Sequence, residues 1–379
     1  MYKKHIVILS IDSPYNSYAG LGKSISCMVN NLPEYKFFCF GHGGEHKENN
    51  VECYCILEDL SANKEDNPFV DMGRIIQILN KNTEKIDAVH VFDWSYIPLG
   101  LCLQKYMGWK LVHTFALAAS KQTEIVWNFL NRPRAFMEEN RERVAMVNKC
   151  EREICDRADK IVQVSHHMAS LFDSKYRSKT HVIHNGVDFD SYSKEVDKKK
   201  YIMPGSPTTK KVLYMGRFVA MKNVYNLFDA KVPDGVEIIL AGGQLGSFPW
   251  LVDRMKNNPP KGFIYVGFIS GEIKHYLLQN VDAVIVPSVH EPFGLVTLEA
   301  IASKTLLICS RASGMEEYIL EDMCVNCGLT TETIELALER FLSMDDDEKQ
   351  TIVETAYTKS RHLTWKKNAT EYSAVYDSL

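Results

Sequence analysis

Two glutamates with a short separation are the first feature of this chain that could do chemistry. Glu291 and Glu299 stand eight positions apart in the stretch PSVHEPFGLVTLEAIA, residues 287–302. Glu291 follows an apolar run of strand-forming residues, and Glu299 lies inside an apolar helical pattern. Two carboxylates can form an acid and base pair, as in a glycosidase. A glutamate just beyond a strand of an open α/β sheet instead indicates a ligand site at the carboxyl end of that strand.

Two cations follow an earlier strand-like run. The stretch KVLYMGRFVAMKN, residues 211–223, predicts a strand that ends at Gly216, with Arg217 and Lys222 beyond it. Fixed cations at this place suit a diphosphate, whose charge grows when it departs as a leaving group. The alternative is that both are ordinary surface charges. Their position after the strand favours the diphosphate interpretation.

The helical pattern that contains Glu299 begins directly after Glu291. Its first residues are Phe293, Gly294, Leu295 and Val296. The first N–H groups of a helix have no partner within it, so they can bind phosphate oxygens. The carboxylate of Glu299 could accept hydrogen bonds from the two hydroxyls of a ribose. A glutamate in mid-helix is more often exposed on the surface, but this helix is largely apolar.

A glycine-rich turn, IDSPYNSYAGLGKSI, follows the first strand-like run and opens onto a helical pattern. Free N–H groups and the positive end of the helix dipole make such a turn an anion site. The ending Gly22-Lys23-Ser24 also suggests a P-loop, but that motif needs a glycine where Ser17 stands. A plain structural turn is the third interpretation.

Polar and aromatic residues follow another strand-like run. In VHVFDWSYIPLG, residues 89–100, we expect His90, Asp93 and Trp94 just beyond a strand end, where open α/β sheets bind ligands. Such a cluster could hold an acceptor sugar. The alternative is that Trp94 only packs and that Asp93 caps the helix near Tyr96.

Short apolar runs that alternate with longer helical patterns predict βα units on parallel sheets. One series lies at 5–9, 36–40, 88–92, 110–115, 160–164 and 181–183. A second series lies at 212–215, 236–240, 263–266, 283–286 and 305–309. The two series indicate two doubly wound domains, which suits a chain of 379 residues. The polar stretch at 191–210 fits a linker.

Composition excludes several classes of function. A formal net charge of −4 argues against extended nucleic acid as a partner, because phosphate binding needs a basic field. No apolar window of about 18 residues offers a membrane span, and the N-terminal apolar run is too short for a signal peptide. We therefore expect a cytoplasmic protein with at most peripheral membrane contact. Most charges of the Glu- and Arg-rich helical segment 118–159 are expected to form a solvated face with i, i+4 pairing.

The ten cysteines are scattered, and several fall within apolar runs, so we expect reduced and mostly buried thiols. Cys324 and Cys327 have C-x-x-C spacing, but the second pair that would complete a zinc site is missing. No metal is expected there.

Seven stretches resemble, in one order along nearly the whole chain, the retaining glycosyltransferases of the glycogen synthase and sucrose-phosphate synthase type. They are AGLGKS (19–24), HVFDW (90–94), ADKIVQVS (158–165), IHNGVD (183–188), YMGRFVAMKN (214–223), VGFI (266–269) and PSVHEPFGLVTLEAIA (287–302). The resemblance implies the α/β fold called GT-B, in which two Rossmann-like domains face each other across a cleft. It places an acceptor-side domain at 1–195, a nucleotide-sugar domain at 208–360, and at 361–379 a helix that crosses back to the first domain.

The resemblance also implies a role for each charged residue named above. Arg217 and Lys222 would bind the diphosphate of a nucleotide sugar and stabilise the leaving group, with no metal or other cofactor. Glu291 would contact the donor sugar, Glu299 the ribose, and the backbone of 294–297 the phosphates. The anomeric configuration would be retained by front-face attack, with the departing phosphate as base.

Other parts of the chain would complete the donor and acceptor sites of such an enzyme. The residues that would close on the diphosphate from the first domain are Gly20, Leu21 and Gly22. Gly267 and Phe268 would cradle the base, with uridine favoured by family frequency. The acceptor is a glycan or a small-molecule or protein-linked hydroxyl, and its site is expected in variable loops that include Asp93, Trp94 and Ala116. The sequence leaves open the acceptor, the donor sugar and the oligomeric state.

The chain differs from the family at the position that would contact the donor's 6-hydroxyl. Relatives with a T-x-H-x-L stretch after the fourth strand aim a histidine at this group, whereas residues 114–117 read TFAL and place Ala116 there. Because Ala116 cannot bind that hydroxyl, we expect a donor without it, a pentose such as xylose. The alternative is a weak or inactive protein that only binds a sugar nucleotide. His113 is three residues early and, by strand alternation, on the other face.

Two loops also lack family glycines. The usual glycine and proline after the helix of Glu299 are Lys304 and Leu306, and the glycine pair expected near Ser313 and Gly314 is reduced to one. We expect these changes to affect loop geometry more than chemistry.

Overall fold

The computed structural model describes residues 2–15, 20–42, 44–55, 68–82, 85–92, 94–121, 125–126, 141–243 and 247–379. Backbone contacts divide the chain into two compact units. The first takes the described residues of 1–124, 131–186 and 365–379, and the second takes those of 125–130 and 187–364. The boundary after Gly186 is earlier than the expected domain end at 195. The reason is that Val187 donates to Leu363 O at 3.0 Å and Tyr192 bonds to Glu299, both in the second unit.

The first unit is built on one sheet of eight strands. These are β1 (His5–Asp12), β2 (Lys36–His42), β3 (His46–Glu48), β4 (Val51–Cys55), β5 (Ala88–Phe92), β6 (Lys110–Phe115), β7 (Lys160–Gln163) and β8 (Thr180–Val182). Its order is β3-β4-β2-β1-β5-β6-β7-β8, with β3 antiparallel to β4 and every other described pair parallel. The helices in the first part of this unit are α1 (Gly20–Asn30), α2 (Pro68–Asn82), α3 (Ile97–Met107), α4 (Arg141–Arg157) and α5 (His166–Ser170).

The sheet of the first unit is buried on both faces. Val7 and Leu9 of β1 belong to one apolar layer, and Ile6 and Ile8 belong to the other. A strand covered on both faces reads as a continuous apolar run. That is why IVIL in β1 predicts a strand so clearly.

The second unit is built on a parallel sheet of six strands. These are β9 (Lys210–Gly216), β10 (Val236–Gly242), β11 (Phe263–Gly267), β12 (Ala283–Val286), β13 (Leu306–Cys309) and β14 (Val325–Asn326), in the order β11-β10-β9-β12-β13-β14. Its helices are α6 (Phe189–Ser193), α7 (Val224–Asp229), α8 (Pro249–Asn257), α9 (Gly271–Asn280), α10 (Leu295–Ala302), α11 (Thr331–Ser343) and α12 (Asp346–Ser360). Each unit therefore has the predicted α/β class.

The last helix, α13 (Trp365–Asp377), returns to the first unit. Tyr376 is fully buried in the apolar layer that also contains Ile6 and Phe37. A polar chain runs under the helix: His90 Nδ1 lies 2.6 Å from Tyr376 Oη, and His90 Nε2 lies 2.8 Å from Thr114 Oγ1. Polar contacts therefore tie α13 to β5 and β6 in addition to apolar packing.

Buried histidines make the stability of this protein depend on pH. Burial lowers the pKa of His113 to about 3 and holds the pKa of His90 well below its ordinary value of 6.5. Both stay neutral in the native state, whereas the unfolded chain binds protons below pH 6.5, so their contribution is complete above that value and is lost as the pH falls. We expect the free energy of unfolding to decrease from pH 7 to pH 4. His113→Leu should remove up to about 1.4 kcal/mol per pH unit of this slope.

Urea unfolding at several pH values between 7 and 4 measures this slope. His362, an exposed residue, supplies the control variant His362→Leu, which should keep the wild-type dependence. An unchanged slope in His113→Leu would contradict the assignment of His113 as a buried neutral group.

Two other expectations concern membrane-spanning helices and the state of the cysteines. Among the described residues, no helix is long and apolar enough to cross a membrane. All ten cysteines carry free thiols, and six of them, including Cys324 and Cys327, are buried.

Candidate functional site

The second sheet reverses its direction of winding between β9 and β12. From β9 the chain adds β10 and β11 on one side and then β12 and β13 on the other. Open α/β sheets bind ligands at such a switch point, outside the carboxyl ends of the strands. The loops after β9 and β12, which hold Lys222 and Glu291, lie there.

The loop after β9 is held in place at several points. Tyr214 Oη donates to Arg217 O at 2.9 Å, and Phe218 N donates to Ser247 Oγ at 2.9 Å. Lys222 ends a short 3-10 helix, Ala220–Lys222. Val289 N donates to Met221 O at 2.9 Å, so the backbone next to Lys222 is bonded to the loop of Glu291.

Lys222 and Glu291 form an ion pair. Lys222 Nζ donates to Glu291 Oε2, and Ser288 Oγ donates to the same oxygen at 3.2 Å. The two side chains are 19% and 10% exposed, so the pair is mostly shielded from water. Gly314 N donates to Glu291 O at 2.9 Å and fixes the backbone of the loop. The structure thus brings together a cation and a carboxylate that the sequence separates by 69 positions.

Arg217 lies at the same sheet end but is exposed. Among the described residues, its guanidinium contacts the sulfur of Met221 at 4.0 Å and no carboxylate. Gly216, the last residue of β9, lies against Gly242 of β10, where an added Cβ would meet Gly216 O at 2.0 Å. The ends of β9 and β10 are therefore packed closely together, next to the exposed side chain of Arg217.

The start of α10 depends on a glycine. Gly294 caps the helix with φ +99°, and an added Cβ would lie 2.9 Å from both Met315 Cγ and Tyr318 Oη. Tyr318 Oη donates to Phe293 O at 2.8 Å and to Gly294 O at 3.0 Å. Burial and the Glu291 carboxylate raise the pKa of Tyr318 well above its ordinary value, so this donor keeps its proton. The first N–H groups of α10, at Leu295 and Val296, follow this fixed turn.

Glu299 is buried in α10 with 3% of its surface exposed. Its Oε1 accepts from Tyr192 Oη at 2.8 Å, and its Oε2 accepts from Lys274 Nζ at 2.6 Å. The largely apolar helical pattern around Glu299 indicates that its side chain points into the protein. It does not indicate Tyr192 or Lys274, which lie 107 and 25 positions away.

An apolar pocket lies beside the end of β11. Gly267 ends the strand with φ +76°, and Phe268 after it is 40% exposed. Tyr201, Ile273 and Tyr276 line the pocket together with Phe268. An aromatic and apolar pocket of this kind can hold one face of a planar ring.

The other candidate residues belong to the first unit. Gly20, Leu21 and Gly22 form the first turn of α1, with Gly22 buried and Gly20 exposed. Trp94 is half-buried and packs against the apolar layer that contains Val91 and Leu99. Asp93 and residues 16–19 lie outside the described residues.

The expectation that His90 lies just beyond a strand end is wrong. His90 is in the middle of β5 and is fully buried, with both ring nitrogens bonded to Tyr376 and Thr114. The predicted run at 88–92 coincides with β5, so His90 lies inside the strand, and α13 supplies the polar partner Tyr376 from the far end of the chain. His90 is therefore a core residue.

Ala116 follows directly after β6 and is half-buried. His113 is fully buried, with its ring 4.2 Å from that of Phe115, so it cannot take the place of the missing family histidine. The loop beyond Ala116 is fixed by Glu151 of α4, whose carboxylate accepts from Ala119 N at 2.8 Å and from Ser120 Oγ. Glu151 is only 2% exposed, so it is an exception to the solvated face expected for most charges of 118–159.

Two positions without the family's glycine keep a left-handed backbone. Lys304 has φ +56° and Ser313 has φ +58°, a region in which glycine is favoured. Their side chains are bonded: Lys304 pairs with Glu354 at 2.8 Å, and Ser313 Oγ lies 2.9 Å from His290 Nδ1. The loops thus keep the conformation that glycine allows.

Two family models match consecutive parts of the chain. The model described as Glycosyltransferase Family 4 matches residues 33–191, and the model described as Glycosyl transferases group 1 matches residues 195–359. The sucrose-phosphate synthase of Thermosynechococcus elongatus has a similar structure, with a TM-score of 0.79 and 19% identity over 99% of each chain. The chain belongs to the GT-B glycosyltransferases.

Two further GT-B relatives show how far the similarity extends. The D-inositol 3-phosphate glycosyltransferase of Corynebacterium urealyticum is 25% identical over 342 residues, which is 81% of this chain and 75% of that protein. The Anabaena protein HepE, solved in complex with UDP-glucose, is 16% identical over 99% of this chain and 100% of its own, with a TM-score of 0.74. The chain spans 35–54% of the glycogen synthases that it also matches.

Proposed function

We propose that this glycosyltransferase moves a sugar from a UDP-sugar to a hydroxyl of a glycan or other acceptor, with retention of the anomeric configuration. The observation that carries the proposal is the Lys222–Glu291 pair at the switch point of the second sheet, next to the start of α10. The HepE structures with UDP and with UDP-glucose support a uridine donor in this fold.

The proposed role of the cations follows from the charge that develops during transfer. When the bond between the sugar and the diphosphate breaks, the diphosphate gains negative charge. Lys222 and Arg217 stabilise that charge, and the N–H groups at the start of α10 bind phosphate oxygens. Lys222 is held by Glu291 before the reaction, so little energy is needed to reorient it. The proposed reaction requires no metal and no other cofactor.

Glu291 is proposed to bind the donor sugar. Lys222 and Ser288 both donate to Oε2, and Oε1 is the oxygen left to accept from sugar hydroxyls. Such contacts orient the anomeric carbon toward the acceptor. The acceptor hydroxyl attacks from the face that the diphosphate leaves, and a departing phosphate oxygen takes its proton.

A panel of nucleotide sugars tests the proposal. UDP-sugars should raise the unfolding midpoint, more so the tighter they bind, and UDP should be released when an acceptor is added. Absence of binding to any nucleoside diphosphate sugar would contradict the proposal. Binding without transfer to any acceptor would instead favour a sugar-nucleotide-binding protein without activity.

The same panel tests the choice between pentose and hexose. Because Ala116 offers no polar group, we expect UDP-xylose to be used better than UDP-glucose. Ala116→His should shift this preference toward UDP-glucose by about tenfold, the effect of one added hydrogen bond. Ala118→His, a few residues away at a buried position, is the control for general disturbance of this loop. Clear preference of the wild-type protein for the hexose donor would contradict the pentose assignment.

A P-loop ATPase is the second candidate, suggested by the sequence Gly22-Lys23-Ser24 at the start of α1. It predicts that Lys23→Ala abolishes activity and that Glu299→Ala does not. The glycosyltransferase proposal predicts the larger loss in Glu299→Ala.

A further inference from the structure

Two thiols of the first unit face each other across neighbouring strands. Cys39 of β2 lies directly opposite Cys53 of β4 in the parallel register of these strands. Neighbouring strands are about 4.8 Å apart, and a disulfide joins residues whose Cα atoms are about 4.4–6.8 Å apart. Both side chains belong to the apolar layer that also contains Phe37 and Val51. A bond between the two sulfurs therefore requires no movement of the strands.

The two thiols differ in their readiness to react. Hydrogen bonding from Cys39 lowers the pKa of the Cys53 thiol, and the side chain of Ser13 acts in the same direction, against the effect of burial. Burial raises the pKa of Cys39 well above its ordinary value. The thiolate is the form that attacks an oxidant, so Cys53 is the nucleophile of the pair. Cys39 keeps its proton and supplies a second thiol beside it.

A small cavity gives an oxidant access to this pair. Cys39 and Cys53 are only 4% and 2% exposed, but both line a cavity of about 10 Å³ next to the carboxyl ends of β1 and β2. One water molecule requires about this much room. Ser10 and Ser13 also line the cavity, so its wall is partly polar. A small polar oxidant such as hydrogen peroxide can approach the sulfurs there.

Another pair of interacting thiols, in the second unit, lacks this backbone geometry. Cys309 and Cys324 interact with each other, and both are buried. In the pairing of β13 with β14, however, Cys309 lies opposite Asn326, so the two cysteines are offset by two residues. The strand spacing and the rise of two residues together separate such positions by about 8 Å, which is too far for a disulfide. We expect this second pair to stay reduced.

We propose that Cys39 and Cys53 form a modification site at which hydrogen peroxide converts two thiols into a disulfide. The Cys53 thiolate attacks one peroxide oxygen, so that an S–O bond forms while the O–O bond breaks, and the hydroxide that leaves takes a proton to become water. The Cys39 sulfur then attacks the Cys53 sulfur, so that the S–S bond forms and the S–O bond breaks. The second hydroxide leaves with the proton of Cys39 as water.

The two thiols together lose two hydrogen atoms in this reaction, and one peroxide molecule becomes two water molecules. Disulfides that form in reducing compartments are usually transient and redox-sensing, and a reversible pair of this kind fits that use. None of these steps involves the residues of the proposed donor site, so the inference does not rest on the proposed function.

Peptide mapping of the oxidised protein tests the inference. Native protein is treated with hydrogen peroxide, its remaining thiols are alkylated, and the tryptic peptides are analysed by mass spectrometry. Trypsin places Cys39 in the peptide 37–47 and Cys53 in the peptide 48–64. We expect two of the ten free thiols to be lost as these peptides become linked. Cys55 shares the second peptide, so fragment spectra and the variant Cys55→Ser identify the bonded sulfur.

Two serine variants separate the roles of the two thiols. Cys39→Ser should stop at the sulfenic acid on Cys53, which dimedone traps, whereas Cys53→Ser should leave Cys39 unreacted. Cys309→Ser is the matched control, because it removes a buried thiol of the other interacting pair and should still form the Cys39–Cys53 disulfide. Thermal unfolding identifies any variant that fails to fold, and the wild-type peptide map decides the outcome without it.

Several results would overturn the inference. One is a disulfide that joins Cys39 or Cys53 to any other cysteine. Another is a pair that stays reduced at a peroxide concentration that oxidises Cys102, a half-buried thiol whose pKa is raised by burial. Conversion of Cys53 to the sulfinic acid without a disulfide would also overturn it, because Cys39 would then not be its partner. Return of both thiols on treatment with dithiothreitol would support a reversible site.

Discussion

Lys222→Ala is expected to lower kcat/KM for sugar transfer by about 10²- to 10³-fold, the range found when one preorganised donor to a developing charge is removed. The variant removes the cation that would stabilise the leaving diphosphate, and it leaves the Glu291 carboxylate with Ser288 as a donor. Steady-state kinetics with the preferred UDP-sugar measure the loss. Most of it should be in kcat, because the charge is greatest in the transition state.

Three comparisons test whether the loss in Lys222→Ala is specific to the charge of Lys222 and to its pairing with Glu291. Lys222→Arg keeps the charge and should retain part of the activity, whereas Lys261→Ala removes an exposed lysine and should retain all of it. The losses in Lys222→Ala and Glu291→Gln should not add in the double variant, because the two side chains are bonded to each other. Activity within about threefold of wild type in Lys222→Ala would contradict the assigned role of this pair.

Tyr376→Ala is expected to destabilise the protein by about 3–5 kcal/mol, the usual cost of removing a large buried ring. Tyr376 has no exposed surface, and its ring lies 5.5 Å from that of Tyr35 and 6.2 Å from that of Phe37. Truncation leaves a cavity between α13 and the sheet of the first unit. Urea unfolding measures the change.

A graded series distinguishes packing from hydrogen bonding at Tyr376. Tyr376→Phe keeps the ring but leaves His90 Nδ1 without its phenol partner, so we expect a cost of about 1–2 kcal/mol. Tyr106→Ala changes a tyrosine that is 54% exposed and should cost less than about 0.5 kcal/mol. A change near zero in Tyr376→Ala would mean that α13 does not stabilise the first unit.

The central strands of both sheets could be predicted because they are buried on both faces. Continuous runs of apolar residues predict strands of a parallel sheet. Two examples are Ala283–Val286 and Ala88–Phe92, in which His90 is the one polar residue. The edge strands His46–Glu48 and Val325–Asn326 were not predicted, since both are very short. Val51–Cys55 was missed because Glu52 interrupts its apolar pattern while pairing with Lys36 of the next strand at 2.8 Å.

Only those residues of the candidate donor site that lie close together in the sequence could be predicted. Glu291, Gly294 and Glu299 lie within nine residues, and the strand before them places them at one sheet end. The contacts of Tyr192 and Lys274 with Glu299, and of Glu151 with the loop at Ala119, could not be predicted. They join residues that are far apart in the sequence. Glu151 in particular lies among Glu and Arg residues that the charge pattern describes as solvated.

Two positions at which the resemblance implies glycine show what a missing glycine does not predict. Lys304 and Ser313 adopt the left-handed conformation without glycine. Each substitution costs roughly 1 kcal/mol in backbone energy, against which the contacts of Lys304 with Glu354 and of Ser313 with His290 act. Sequence alone shows the missing glycine and not the left-handed backbone at these positions.

The return of α13 to the first unit has a consequence for biosynthesis. Proteins emerge from the ribosome from the N-terminus onward, and domains fold as their residues become available. The apolar layer around Ile6 and Phe37 lacks Ala369, Tyr372, Val375 and Tyr376 until the last helix has been made. The first unit therefore cannot complete its core before the whole second unit has been translated, and until then one face of its sheet is only partly covered.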